Sequence, residues 1–278
     1  MPGLICPVCS KPLFDCGASY KCPGGHCFDK ARNGYVNLNL ASGARSKRHG
    51  DDTVMVASRS EFLDRGFYSP LLREIISAAL RHVPAGSAGL LDAGCGEGYY
   101  TAAVAAALRD SGRDVSAVGV DLSRAALAAA HRRDPSLVLA AASAKKLPVA
   151  DSSCGIVLSV FAPVFPEEFA RVLRPGGVLI RAVPLERHLF GLKAAVYDEP
   201  YLNPPPGVEL AGFELTERAD VEYTLSLDGE EAAALFKMTP YYYKTGRADQ
   251  EKLGKLPSLT TEAAFGVFTY ARTSSVPG

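Results

Sequence analysis

The sequence predicts an α/β fold, a mostly parallel sheet with helices on both faces, fronted by a small β module that needs a metal to hold it. Three observations predict this. Strands and helices alternate from about residue 83 onward, which is the rhythm of βαβ units. A glycine-rich turn, Asp92-Ala93-Gly94-Cys95-Gly96-Glu97-Gly98, follows the first of those strands and opens a helix. Five of the 7 cysteines (Cys6, Cys9, Cys16, Cys22 and Cys27) fall within the first 27 residues.

The front comes first in the chain. Residues 1–40 are poor in helix formers and rich in Cys, Gly, Pro and Asn. So few apolar side chains cannot build a core unaided, so a bound metal has to supply the cohesion. Cys6-Pro7-Val8-Cys9 puts two thiols on one tight turn, and Cys22-Pro23-Gly24-Gly25-His26 offers a second pair. Zinc takes four tetrahedral thiolate or imidazole ligands. Ser10 to Lys21 is long enough to form a hairpin that brings the two turns together. His26 is the preferred fourth ligand, with the adjacent Cys27 the alternative. A closed four-ligand site leaves no open position, so the expected role of the metal is structural.

Residues 41–82 read as a polar, basic linker and two helices. Phe62, Leu63, Leu71, Leu72, Ile75, Ile76 and Leu80 recur at helical spacing, and Pro70 starts the second helix. Residues 83–278 form the larger domain. Its expected strands cover 89–92, 115–121, 137–140, 156–161 and 178–183, alternating with helices over 99–109, 124–132 and 167–173. The last of these helices is expected to end at Arg174-Pro175-Gly176-Gly177. Residues 213–227 read as a long strand with an antiparallel partner at 266–271, and a helix at 229–237 lies between them.

The glycine turn has a chemical use. Glycine lets backbone approach a ligand closely, and a helix N-terminus offers N–H groups and a positive dipole end to an anion. A dinucleotide fingerprint would be G-x-G-x-x-G. Here the third glycine, Gly98, comes one place early and Tyr99 follows it. This spacing fits S-adenosylmethionine, which has a carboxylate but no pyrophosphate. Asp121, 29 residues after Asp92 and followed by Leu122, is placed to accept two ribose hydroxyls. Ser143, ahead of Leu147-Pro148, stands where an adenine amino group is met.

The chain is neutral overall, but residues 1–50 carry seven Lys/Arg against two acids, a net +5 that the remainder balances at −5. A basic front on an acidic body fits a nucleic-acid grip, with Arg45, Lys47 and Arg48 as candidate phosphate contacts. No apolar run reaches the roughly 20 residues that span a bilayer. The opening residues lack a leader pattern, so the chain is expected to be cytoplasmic and away from membranes. An odd number of cysteines in such a chain favours metal over disulfides.

Taken together these residues resemble one family, the bacterial 23S rRNA (guanine-N1)-methyltransferases, including its macrolide-resistance branch. The resemblance rests on Cys6-Pro7-Val8-Cys9, Cys22 to Asp29, Gly34-Tyr35-Val36-Asn37-Leu38, Phe62-Leu63-Asp64, Gly66, Tyr68, Asp92 to Tyr100, Phe161-Ala162-Pro163, His188-Leu189 and Met238-Thr239-Pro240. It implies a seven-stranded, Rossmann-like class I methyltransferase domain behind a zinc-binding RNA-recognition module. It implies zinc on Cys6, Cys9, Cys22 and His26, and S-adenosylmethionine lined by Tyr68, Gly96, Glu97, Asp121 and His188. It also implies a 23S rRNA hairpin as partner and pairing as a homodimer. One branch of the family is tied to resistance to tylosin-type macrolides. Cys27 and Tyr241-Tyr242-Tyr243 depart from the family pattern.

The implied reaction is methyl transfer from S-adenosylmethionine to guanine N1. N1 lies on the base-pairing edge, so the base must be unpaired or flipped. Phe161, Ala162 and Pro163, at the end of the fourth strand of the larger domain, are the expected wall of the base pocket. His188 is a candidate general base as well as a donor-site residue. Asp92 is expected to orient the turn or meet the methionine amino group. Two rival readings are a small-molecule methyltransferase and an rRNA-binding protein with a vestigial cofactor site.

Overall fold

The computed structural model describes residues 2–40, 53–83, 86–239, 241–243 and 245–273. Arg45, Lys47 and Arg48 lie outside these residues. The front carries three short strands, β1 (Phe14–Asp15), β2 (Ser19–Lys21) and β3 (Cys27–Asp29), paired antiparallel in that order. A fourth strand, β4 (Tyr35–Asn37), leaves the module. Helices α1 (Thr53–Asp64) and α2 (Ser69–His82) follow. Then come β5 (Ser87–Ala93), α3 (Tyr99–Asp110), β6 (Asp114–Asp121), α4 (Arg124–Arg133), β7 (Val138–Ala141), β8 (Cys154–Val160), α5 (Pro166–Val172) and β9 (Leu173–Pro184). The chain closes with α6 (Phe190–Val196), β10 (Phe213–Asp228), α7 (Gly229–Lys237), α8 (Arg247–Leu253) and β11 (Ser258–Arg272).

The large sheet runs β10-β11-β9-β8-β5-β6-β7-β4. β11 is antiparallel to both β9 and β10, and the other pairs are parallel. Seven of its strands are those the sequence predicts for the larger domain. The eighth, β4, comes from the front and pairs with β7 through Tyr35↔Leu139, Val36↔Ala140 and Asn37↔Ala141. Leu4 also bridges Val149, and the Ile5 N–H donates to Pro148 O at 2.9 Å. The front module is therefore stitched to the body at two places.

Parallel strands buried on both faces read as near-continuous apolar runs, and β8 (Cys-Gly-Ile-Val-Leu-Ser-Val) is buried throughout. Alternate residues feed two cores. Leu90 and Leu158 join one with α2 and α3, while Leu91 and Val157 join the other with α5 and the front residues Leu4, Cys6, Cys22 and Val36. The metal module thus shares a core with the sheet.

From β5 the chain winds one way to β6 and β7, then crosses back to β8 and β9. The strand order reverses between β5 and β8, and ligands of open α/β sheets bind in the crevice beyond the carboxyl ends at such a switch. The glycine turn ends β5 and Phe161 ends β8, so both border that crevice.

Two differences from the predicted elements have local causes. The Arg174-Pro175-Gly176-Gly177 segment lies within β9 rather than forming a separate turn. Cys154 pairs with Leu173, and the register then slips before Ile156↔Val178. Helix α6 starts from Leu189, a non-glycine residue at φ 57°, and has no side-chain cap, so it carries no start signal of the usual kind.

Candidate functional site: a four-ligand metal cluster and a crevice at the strand switch

The two predicted knuckles are both present. In the first, the Cys6 N–H donates to Lys11 O (2.8 Å) and the Ser10 N–H to Cys6 O (2.8 Å). In the second, the Cys22 N–H donates to His26 O (3.0 Å) and the Gly25 N–H to Cys22 O (3.0 Å). They bring the Sγ atoms of Cys6, Cys9 and Cys22 and a ring nitrogen of His26 within 4.8 Å of one another. His26 Nδ1 lies 3.5 Å from Cys6 Sγ and 3.3 Å from Cys22 Sγ. Burial disfavours the Cys22 thiolate. N–H groups of His26 and Gly24 and the side chains of His26 and Cys9 more than offset this, lowering the thiol to about 6. Such a thiol is ready to ligate at neutral pH. Cys16 and Cys27 are exposed and outside the cluster, so the geometry favours His26 over Cys27.

At the crevice the Asp92 side chain is buried. Thr101 Oγ1 donates to its Oδ2 at 2.5 Å, while Oδ1 is buried without a protein partner. Burial, opposed by the Thr101 bond and aided by the charges of Asp121 and Glu97, raises its pKa to about 7. Asp121 Oδ2 accepts the Gly96 N–H (3.0 Å) and Oδ1 the Ser123 N–H (2.7 Å). The second-strand carboxylate thereby holds the glycine turn as well as facing its rim. Gly94 sits at φ +99°, and a Cβ there would lie 2.6 Å from Ala162 Cβ. The turn and the Phe161-Ala162-Pro163 segment therefore touch across the crevice because glycine leaves the room.

Phe161 is 45% exposed and has a positive φ of 55°. Strain of this kind collects at functional sites. Its ring faces Phe265 (5.6 Å), Tyr100 (6.3 Å) and Tyr68 (6.4 Å). Tyr68 is buried edge-on to Phe265 at 4.9 Å and 6.2 Å from His188. Glu97 is buried, Leu122 is half-buried behind Asp121, and Ser143 lies past the end of β7 with its Oγ accepting the Lys145 N–H at 3.2 Å. The predicted crevice residues are thus carried on the carboxyl-end rim of the sheet or on the elements packed over it.

His188 is buried against Phe265, ring to ring at 4.5 Å. Burial, and then the Lys193 charge, depress its pKa to about 3, so it is neutral at physiological pH. The Ala264 N–H donates to Nδ1 at 3.3 Å, which puts the ring proton on Nε2. A ring with one nitrogen bonded and the other protonated has no lone pair for a substrate proton. The structure therefore favours the donor-site reading of His188 over the general-base reading. Thr101, Tyr100, Ala264 and Phe265 were not legible as site residues. The last two arrive on β11, far along the chain, without a local motif.

Comparison with known proteins fits this geometry. A family model for the RlmA N-terminal zinc ribbon matches residues 4–47, and one for a methyltransferase domain matches residues 90–177. The 23S rRNA (guanine(748)-N(1))-methyltransferase of Streptomyces fradiae is 37% identical over 195 residues, covering 69% of this chain and 67% of its own. The chain belongs to the 23S rRNA (guanine-N1)-methyltransferase family. Two further family members carry that name provisionally. The one from Micromonospora griseorubida is 38% identical over 212 residues, 69% of each chain. YxjB of Bacillus subtilis is 31% identical over 246 residues, 84% of this chain and 85% of its own.

The cofactors of this family member are S-adenosylmethionine and structural zinc. The residues present fit both. Three thiols and an imidazole nitrogen are the donor set zinc prefers. The unpartnered Asp92 Oδ1 and the glycine turn suit a ligand with an ammonium and a carboxylate at one end.

Proposed function

We propose that this protein transfers the methyl group of S-adenosylmethionine to N1 of a guanine in a hairpin loop of 23S rRNA. The observation that carries the proposal is one shared architecture. A four-ligand metal cluster sits in the front module whose strand β4 forms the edge of the sheet, and the switch point of that sheet holds an acidic glycine turn opposite an exposed, strained phenylalanine.

Bound S-adenosylmethionine supplies an activated methyl on a sulfonium leaving group. The chain's own residues chiefly orient the partners, which alone removes several kcal/mol of barrier. Asp92 receives the methionine ammonium and Asp121 the ribose hydroxyls. Gly94, Gly96 and Gly98 let backbone approach, Glu97 and Leu122 line the donor, and Ser143 meets the adenine. Phe161 stacks on the extruded guanine, with Ala162 and Pro163 shaping the pocket and Tyr68 and His188 closing its donor side. N1 loses its proton before or during attack. The Ala162 carbonyl, which accepts Ser159 Oγ at 3.4 Å, can accept a hydrogen bond from N1–H and so orient it, while the proton itself leaves to solvent water. Cys6, Cys9, Cys22 and His26 hold the zinc that shapes the RNA-gripping front, residues 1–40.

The setting is the cytoplasm, where ribosomal RNA is modified. Among the described residues no helix is long and apolar enough to cross a membrane. The working unit is a pair of chains, which sedimentation of the purified protein will test. The rival metabolic reading draws on the malonyl-[acyl-carrier protein] O-methyltransferase of Alcanivorax borkumensis, 36% identical over 155 residues but matching only 48% of this chain. That leaves half the chain without a role.

The deciding experiment is primer extension on 23S rRNA from cells with and without the gene. N1 methylation blocks the pairing edge, so reverse transcriptase should stop at one guanine only when the gene is present. A stop that persists without the gene, or its absence with the gene, would refute the proposal. Altered susceptibility to tylosin-type macrolides in the same pair of strains would report on resistance.

A further inference from the structure

Lys193 is an unexpected group in this fold. It lies on α6 with 1% of its surface exposed, and among the described residues it pairs with no carboxylate. Its Nζ donates to Tyr201 O (3.1 Å) and Asn203 Oδ1 (2.7 Å), and it stands over the rings of Tyr201 (4.3 Å) and Tyr241 (5.1 Å). Burial lowers the pKa of this ammonium. For packing alone, a methionine of similar volume would serve without the desolvation penalty.

The lysine's partner shows what the charge does. Asn203 makes four side-chain hydrogen bonds. Nδ2 donates to the carbonyls of Leu185 (2.9 Å) and His188 (3.2 Å). Oδ1 accepts from Lys193 and from the Tyr241 hydroxyl (3.1 Å). An asparagine amide can flip, exchanging donor and acceptor. An ammonium only donates, so Lys193 permits one orientation, the one that sends both N–H groups to the turn. A charge-assisted bond at Oδ1 also polarises the amide and strengthens the two bonds it donates.

That turn carries His188. Its backbone is held from one side by Asn203, whose own N–H also donates to Glu186 O at 2.8 Å, and its ring is held from the other by the Ala264 N–H. The next residue, Leu189, sits at φ 57°, a conformation that a non-glycine residue keeps only when its surroundings fix it.

We propose that Asn203, locked in orientation by Lys193, is a positioning residue that holds the His188 ring as a fixed Nε2–H donor facing the methyl-donor crevice. The proposal rests on the reading of His188 as a donor-site residue. Asn203 acts through the turn and touches neither donor nor base. Tyr241 is the third member, which gives one residue of the Tyr241-Tyr242-Tyr243 run a structural task. Tyr242 packs edge-on to Phe236 at 5.8 Å, and Tyr243 is exposed.

The test uses the full zinc-loaded chain and S-adenosylhomocysteine as the probe. Calorimetry gives affinity, and imidazole nitrogen NMR gives the His188 tautomer. N203D keeps an acceptor for Lys193 but removes both donors to the turn. It should weaken binding about tenfold, the equivalent of one hydrogen bond, and turn the single Nε2–H signal into a mixture of tautomers. K193M keeps Asn203 and the volume, and should give a smaller loss with the same mixing. In an H188A background N203D should cost nothing further, since the turn then has no ring to place. Wild-type affinity and a single tautomer in N203D overturn the proposal, as does a full additional loss in the double variant. If N203D does not fold, K193M decides: unchanged affinity with a single tautomer refutes the lock. Should H188A bind the probe like the wild type, the donor-site reading of His188 fails, and the tautomer signal still reports separately on the clamp.

Discussion

The Asp92 carboxyl has one oxygen bonded to Thr101 and the other buried without a protein partner. Its pKa of about 7 in the folded chain stands above the ordinary carboxylate value of about 3.9. The folded state therefore holds a proton that the unfolded chain releases. This contribution is full at low pH and is lost as pH rises through about 4 to 7, at up to ~1.4 kcal/mol per unit. Asp92→Asn should consequently melt higher than the wild type at pH 8 while binding S-adenosylhomocysteine at least tenfold more weakly, the usual opposition of stability and function. The methionine ammonium favours the ionised carboxylate. Ligand binding near pH 6 should therefore release a proton, and affinity should rise with pH and level off above about 7. Calorimetry in two buffers of different ionisation enthalpy measures this directly. No proton release at pH 6 would remove Asp92 from the ammonium.

Phe161 makes a second prediction at this scale. A base stacked on an aromatic ring is worth roughly 1–3 kcal/mol. Phe161→Ala should lower kcat/KM for RNA by about 10- to 100-fold and leave the Kd for S-adenosylhomocysteine within about twofold. A fall in donor affinity that accounts for the whole effect would place the ring on the donor instead. The motif identified Phe161 from sequence. Its positive φ was not legible, because no local motif calls for one there; its N–H donates to Ala182 O on the neighbouring strand.

Among the elements, legibility followed the strength of the local signal. β10 alternates and was found over nearly its whole length, whereas β11, buried almost continuously from Thr261 to Tyr270, was found only over 266–271 of its 258–272 span. α7 has a capping box in which Asp228 and Glu231 each accept the other's backbone N–H, and its bounds of 229–237 were read without error. α6 lacks a capping side chain, and α8, Arg-Ala-Asp-Gln-Glu-Lys-Leu, has no apolar stripe; neither was read. β4 was invisible as a strand of the large sheet. Three residues carry no periodicity, and their pairing is set by β7, a hundred residues later. The metal cluster was legible because four ligands at fixed spacing leave few arrangements. Zinc analysis of purified variants tests it. His26→Ala and Cys6→Ser should lose the metal, whereas Cys27→Ser should keep about one zinc per chain, as a closed tetrahedral site requires. Retention in His26→Ala with loss in Cys27→Ser would reverse the assignment.

At the scale of the molecule, the front and the sheet share one apolar core, with Leu4, Cys6, Cys22 and Val36 packed among sheet residues. Chelating the zinc should therefore do more than loosen a tail. It should lower the melting temperature of the whole chain, since metal binding is folding free energy, and should speed amide exchange in β7, to which β4 is hydrogen-bonded. Loss of zinc with an unchanged melting temperature would show the two parts to be energetically separate. The sequence read them as successive domains. It carried no sign of the seam, because Leu4, Val36 and Leu38 look like any scattered apolar residues until the sheet edge is built.

The seam at Tyr35–Asn37 has a consequence for target choice. If the front grips the RNA as proposed, the β4–β7 ladder would tie that grip to the crevice at a set distance, like a calliper. A nucleotide one step along the same loop would then fall short of the reacting methyl even if its base were identical.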